Sequence, residues 1–218
     1  YSAKQAGRNT FQFYTPDMNA STLETLMIEN ALRRALERQE FRLYFQPQVD
    51  LRDGKIIGAE ALIRWMHPER GLVPPCSFIS IAEDSGLILP IGEWVLLEAC
   101  RNLKFWHDAG HTSLTVAINL SAVQFRQENL SERIEAIGRE TGVDLRHVEL
   151  ELTESMIMQN AEATIASMHA MKALNVQLSI DDFGTGYSSL SYLKRFPIDK
   201  LKIDRSFVAD ITENPADL

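Results

Sequence analysis

Five apolar runs in this sequence end on side chains that bear an oxygen or a charge. They are IIGAEALIRW around Glu60, VAINLS at Asn119, VELELTES around Glu151 and Glu154, LSIDDFGTGYSS at Asp181 and Asp182, and LKIDRSF around Lys202 and Asp204. Apolar runs of this kind read as strands. Laid side by side and parallel, they gather their polar ends at one rim. Unneutralised carboxylates crowded there would repel each other, which raises their pKa values or recruits cations. The chemistry this predicts is a metal site made of oxygen ligands on the rim of a barrel. Taken singly, each acid could equally be an ion-pair partner or a helix cap; the shared strand-end position favours metal.

The elements that must position these side chains follow from periodicity. Pro16 to Asn19 reads as a turn, and Ser21 with Glu24 as a capping box opening a helix to about Glu40. Leu23, Leu26, Met27, Ala31, Ala35 and Leu36 are its expected apolar face, with Arg33, Arg34, Glu37 and Arg38 in water. Phe41 to Val49 and Ile56 to Trp65 read as two strands turned at Asp53-Gly54, hence antiparallel. Strands then alternate with helices. Helices are expected near 76–84, 91–109, 132–141, 161–174 and 189–195, and strands near 114–120, 148–152, 176–180 and 200–204. That rhythm predicts an α/β fold with a parallel sheet under helical cover. Polar residues end nearly every strand and no Gly-rich first turn is present, so a (β/α) TIM-like barrel with an antiparallel first strand is favoured over a doubly wound sheet.

Alternation also sorts the last strand: Lys202 and Asp204 share one face, and Leu201 and Ile203 the other, so the polar pair faces the barrel axis. Lys202 either positions a water or neutralises neighbouring carboxylates. Glu149 shares a face with Glu151 but lies deeper, as a buried partner for a lysine. The five histidines lack ligand spacing and are assigned to surface or packing.

Composition bounds the function classes. The 218 residues are 45% hydrophobic, enough for a sizeable core, and the net charge of -8 disfavours a DNA or RNA polymer as partner. Cys76 and Cys100 offer neither a disulfide framework nor metal-type spacing, which fits a reducing cytoplasm. The most apolar window, Leu87 to Cys100, is interrupted by Pro90, Glu93 and Glu98, so no membrane span is expected; a tether through other segments stays open.

EALIRW, with QPQV before it and NLS, ELTES, DDFGTGYSSL and LKID after it in that order, closely resembles the EAL-type cyclic-di-GMP phosphodiesterases. The resemblance implies a (β/α) barrel that hydrolyses cyclic di-GMP to linear pGpG with Mg²⁺ or Mn²⁺ in a two-metal site. It implies Glu60, Asn119, Glu151, Asp181 and Asp182 as metal ligands. Lys202 would act beside the attacking water, counted with Glu60 and Asp181 as catalytic, while Gln46, Arg64 and Asp204 would touch substrate. Glu154 would anchor the loop after Asp182, unless it is only a helix-start acid. Two cations can clamp a phosphoryl group, activate water and stabilise a leaving oxygen, so the chemistry agrees.

Tyr1 to Tyr14 resembles the end of a GGDEF domain, which makes residues 1–20 the expected tail and linker of a preceding GGDEF domain and 21–218 the EAL-like domain. The family pattern normally continues beyond LKIDRSF, so the barrel is expected to be incomplete at the C-terminus of this chain. Relatives also suggest a homodimer. The alternatives are a catalytically silent cyclic-di-GMP receptor module, which would usually lack the acids, and a metal-dependent barrel acting on another phosphate ester.

Overall fold

The computed structural model describes residues 16–158, 161–184, 193–207 and 209, with side chains from residue 23 onward except at 161. The Tyr1 to Tyr14 stretch, Gly186 and the start of the helix expected at 189–195 lie outside the described residues. The chain forms two compact units, Tyr1–Arg42 with Arg64–Leu87, and Leu43–Ile63 with Ile88–Leu218.

In the first unit, helix α1 runs Pro16–Ala35. The expected turn at Pro16 to Asn19 is therefore helical. Proline is well suited to a first helical position, because its missing N–H would have no partner there in any case. Ser21 and Glu24 lie inside the helix, so they are not the capping box that opens it. The buried stripe is Ile28, Leu32 and Ala35, whereas Leu23, Leu26 and Met27 of the expected apolar face are exposed. Ala35 of the expected face is thus buried, but with Ile28 and Leu32 beside it rather than Leu23, Leu26 and Met27. Arg33, Arg34, Glu37 and Arg38 face water as expected.

Strands β1 (Phe41–Val49) and β2 (Ile56–His67) follow, with a short β3 (Gly71–Val73) antiparallel to β2 that was not anticipated. Met66 N–H donates to Glu40 C=O and Asp50 N–H to Lys55 C=O, the pairing of an antiparallel hairpin. Phe41, Trp65 and Phe78 form a buried triad with centroids 6.2, 5.9 and 5.7 Å apart. The Trp65 indole N–H donates to Glu40 Oε2 at 2.9 Å, so its burial leaves no orphaned donor. A 3₁₀ turn, Pro75–Ser77, leads into α2, Ile79–Ser85.

The second unit alternates as predicted. It contains α3 (Ile88–Asp108), β4 (Thr115–Asn119), α4 (Ala122–Phe125), α5 (Leu130–Thr141), β5 (Val148–Thr153), α6 (Glu154–Met158), α7 (Ala161–Ala173), β6 (Gln177–Phe183) and β7 (Lys200–Ile203). Strand order is β1-β2-β4-β5-β6-β7, and the pairs from β2 to β7 are parallel. This is the α/β wall of a (β/α) barrel with an antiparallel first strand. Helix α3 starts ahead of the expected Ile91 because Pro90 fits its first turn.

The unanticipated α4 is opened by a capping box, with the Ser121 hydroxyl accepting from Gln124 N–H and the Gln124 side chain accepting from Ser121 N–H. Gly92 of α3 permits that contact: a Cβ there would lie 1.9 Å from Gln124 Nε2. The core is built from Val116 and Ile118, Leu150 and Leu152, Leu178 and Ile180 on the strands, and Ile91, Leu103, Ile134, Met168 and Met171 on the helices.

Candidate metal centre

The sheet register explains how distant acids meet. Asn119 lies beside Glu151, Glu151 beside Ser179, Thr153 beside Asp181, and Ser179 beside Lys200. Glu60 lies beside Ala117, two residues before Asn119. Side chains two apart on a strand share a face. Glu60, Asn119, Glu149, Glu151, Ser179, Asp181, Lys200 and Lys202 therefore project from the same face of the parallel strands.

Lys202 is the hub. Its ammonium donates to Glu151 Oε2 at 2.6 Å, Asp181 Oδ2 at 2.9 Å and Glu60 Oε2 at 3.3 Å. Asn119 Nδ2 donates to Glu60 Oε1 at 2.7 Å. Oxygens of Glu60, Glu151 and Asp181 lie within 4.8 Å of one another, the one such group of possible metal ligands among the described residues. Leu201 and Ile203, on the opposite face of β7, are exposed. The predicted alternation therefore holds, with Lys202 turned to the cluster.

Charge here is under-compensated. Burial pushes the Glu151 carboxyl up to about 7, against the Lys202 hydrogen bond and with help from the charges of Glu60 and Asp181. Burial alone would lower the Lys202 ammonium, but its hydrogen bonds to Glu151 and Asp181 carry it above its ordinary value. One lysine thus stays protonated without neutralising three carboxylates. That donor set, all oxygen with charge to spare, fits a hard divalent cation.

Strict alternation would turn Asp182 away from Asp181. Between Ile180 and Phe183 the β6–β7 register shifts, and Asp182 takes φ 54°, a left-handed conformation that aspartate tolerates better than most residues. Strand β6 thus runs through both aspartates rather than stopping at Ile180. Asp182 is exposed and is not one of the three grouped acids; partial burial raises its pKa, followed by the charges of Asp181 and Asp204.

Glu154 is buried at the start of α6, and its Oε2 accepts from Gly184 N–H at 2.8 Å. Both the loop contact and the helix-start position expected of it are present. Gly184 has φ 102°, a conformation that other residues adopt only with strain, so glycine suits the backbone position that Glu154 holds.

Glu149 pairs with Lys200, as its depth suggested. Asp204 Oδ1 accepts from Ser206 N–H at 2.8 Å, and the Ser206 hydrogen bonds hold its carboxyl below the usual range. Gln46 is exposed on β1, and Arg64 is half-buried on β2. Among the histidines, His107 contacts Leu114 C=O at 2.9 Å and meets His147 edge-on, consistent with packing. A separate cleft of about 580 Å³ lies in the first unit, lined by Met27, Ala31, Arg34, Arg38, Glu40 and Arg70. Its charges are largely internal, with Arg70 paired to Glu24 and Arg38 near Glu40.

The family model for the EAL domain matches residues 29–217. This chain belongs to the EAL domain family. Among curated relatives, this EAL domain is 45% identical over 217 residues to the bifunctional diguanylate cyclase/cyclic di-GMP phosphodiesterase MucR of Pseudomonas aeruginosa, covering 100% of the chain and 32% of the relative. It is 43% identical over 215 residues to the cyclic di-GMP phosphodiesterase PdeR of Escherichia coli, covering 99% and 32%. The chain thus spans about a third of the length of these relatives. A solved structure described as the PaMucR phosphodiesterase in complex with c-di-GMP superposes with a TM-score of 0.84 at 45% identity, covering 88% of this chain and 77% of that one. The EAL neighbours agree with the barrel-type fold read from the alternation of elements.

Sequence reasoning found Glu60, Asn119, Glu151, Asp181 and Lys202 together, but missed Lys200 and Ser179 beneath them. Lys200 could have been found, since it lies two residues before Lys202 and so shares its face.

Proposed function

We propose that this EAL domain hydrolyses one phosphodiester bond of cyclic di-GMP to give linear pGpG, using Mg²⁺ or Mn²⁺. The observation that carries the reading is the joining of Glu60, Glu151 and Asp181 around Lys202 in a chain 45% identical to a phosphodiesterase solved with c-di-GMP. Glu60, Asn119, Glu151 and Asp181 would hold one cation, and Asp182 would contribute to a second. Bound cations would lower the pKa of a water and stabilise charge on the leaving oxygen.

The chain's own residues would do the rest. Lys202 stays protonated and fixes the carboxylates of Glu151 and Asp181 while keeping positive charge beside the reacting phosphate. Asn119 orients Glu60 through its amide. Gln46, Arg64 and Asp204 would contact the ligand; the planar guanidinium of Arg64 suits a phosphate or a guanine edge. Glu154 would hold the loop after Asp182 at Gly184. The presence of Glu60, Asn119, Glu151, Asp181, Asp182 and Lys202 together favours an enzyme over a silent receptor.

We further propose that residues 1–20 are the tail and linker of a GGDEF domain and 21–218 the phosphodiesterase unit. The protein would work in the cytoplasm and as a homodimer. No helix among the described residues is long and apolar enough to cross a membrane.

The test is incubation of purified protein with cyclic di-GMP and Mg²⁺ or Mn²⁺, with and without a chelator, and separation of the products by chromatography. Metal-dependent appearance of pGpG is the expected result. Binding of cyclic di-GMP with no turnover under either metal would instead establish the receptor reading.

A further inference from the structure

Beneath the Lys202 cluster lies a second polar layer that the proposed chemistry does not use. Lys200 on β7 reaches across β6 to pair with Glu149 on β5, and Ser179 is the β6 residue in register with Lys200. Ser179 is also the lateral neighbour of Glu151. Three buried side-chain atoms in this patch have no hydrogen-bond partner: Ser179 Oγ, Glu149 Oε1 and Glu151 Oε1. Their residues are between 0% and 1% exposed. Buried polar groups are rarely left so, because each loses its hydration without compensation.

We infer that one internal water is bound between Ser179 Oγ, Glu149 Oε1 and Glu151 Oε1, and that Ser179 thereby acts as a positioning residue for Glu151. The donor and acceptor count closes. The water gives its two hydrogens to the two carboxylate oxygens and accepts the hydroxyl hydrogen of Ser179, making three hydrogen bonds, typical of buried waters. Charge argues against a cation at this depth, because Glu149, the acid of this layer, is already paired one-to-one with Lys200. The water would tie the lower ion pair to Glu151, holding that carboxylate toward the cluster above. This consequence for metal binding rests on the metal reading above; the water itself does not.

The two accounts of Ser179 predict opposite signs. If its hydroxyl is an orphan, Ser179→Ala removes a buried unsatisfied group and the protein melts at the same or a higher temperature. If it holds the water, Ser179→Ala leaves the water short of a donor, and the melting temperature falls. The experiment is a crystal structure of the protein at a resolution that shows ordered water, with thermal melts and Mn²⁺ calorimetry of wild type and Ser179→Ala. Density within hydrogen-bond reach of Ser179 Oγ and both carboxylates, a lower melting temperature in the variant, and Mn²⁺ affinity weakened by about tenfold are expected. An empty position, or a variant melting at or above wild type, overturns the inference. A wild type that binds no Mn²⁺ would refute the metal reading, and the water would still be decided by density and melting.

Discussion

Two lysine-to-glutamate rungs cross the same three strands, one residue pair apart, and differ in what they leave uncompensated. In the inner rung Lys200 meets Glu149, one charge against one, over the neutral Ser179. In the outer rung Lys202 meets Glu151, Asp181 and Glu60, one charge against three. The strand β5 that carries both glutamates is buried at every position before its last residue, Thr153, so its sheet environment does not distinguish them. The difference is set by what β2 and β6 add at the rim. A balanced pair at depth is structure, whereas an excess of fixed negative charge at a strand end is a site for a cation.

The largest effect should come from breaking the outer rung. Asp181→Asn keeps an oxygen but removes charge, and turnover of cyclic di-GMP should fall by roughly 10²–10³-fold or more, with circular dichroism unchanged. A folded variant near the wild-type rate would contradict the assignment. Lys202→Met should also lower turnover by about 10²-fold, because it leaves Glu151 buried beside two other acids. Retained turnover in that variant would reduce Lys202 to a charge balancer.

Breaking the inner rung should instead cost stability. Glu149→Leu removes the partner of Lys200, a lysine that is 38% exposed on its side chain and can rehydrate. The loss should therefore be about 1–2 kcal/mol in a denaturant titration, below that of a fully buried broken pair. An unfolded variant, or one of unchanged stability that lost its metal affinity, would erase the distinction between the rungs.

Much of this comparison was legible in the sequence. Glu60, Asn119, Glu151, Asp181 and Lys202 each end an apolar run, and a parallel register needs nothing more to bring them together. Glu149 was readable as a lysine partner from its depth, though the lysine was not named. Asp182 was legible only as the neighbour of Asp181, because strict alternation would turn it away and the shifted register and left-handed backbone at this point cannot be read from the residues. On α1 the expected face holds only at Ala35, since Leu23, Leu26 and Met27 satisfy helical spacing as well as the buried Ile28 and Leu32 do. Periodicity ranks faces by composition; packing selects the face that lets the backbone come close.

The smallest effect expected is at the edge of the outer rung. Glu154→Ala releases Gly184 N–H and frees the chain after Asp182. Activity should drop by about tenfold and recover in part at higher Mn²⁺, as a loosened ligand segment would. Unchanged activity and metal affinity would leave Glu154 as a helix-start acid alone.

The contrast between the rungs is tested most directly by Mn²⁺ calorimetry on wild type, Glu151→Gln and Glu149→Gln. The account predicts binding in wild type, a loss of about 100-fold or more in Glu151→Gln, and a change of less than about tenfold in Glu149→Gln, whose amide keeps an acceptor oxygen at depth. Equal losses in the two variants, or none in either, would contradict it.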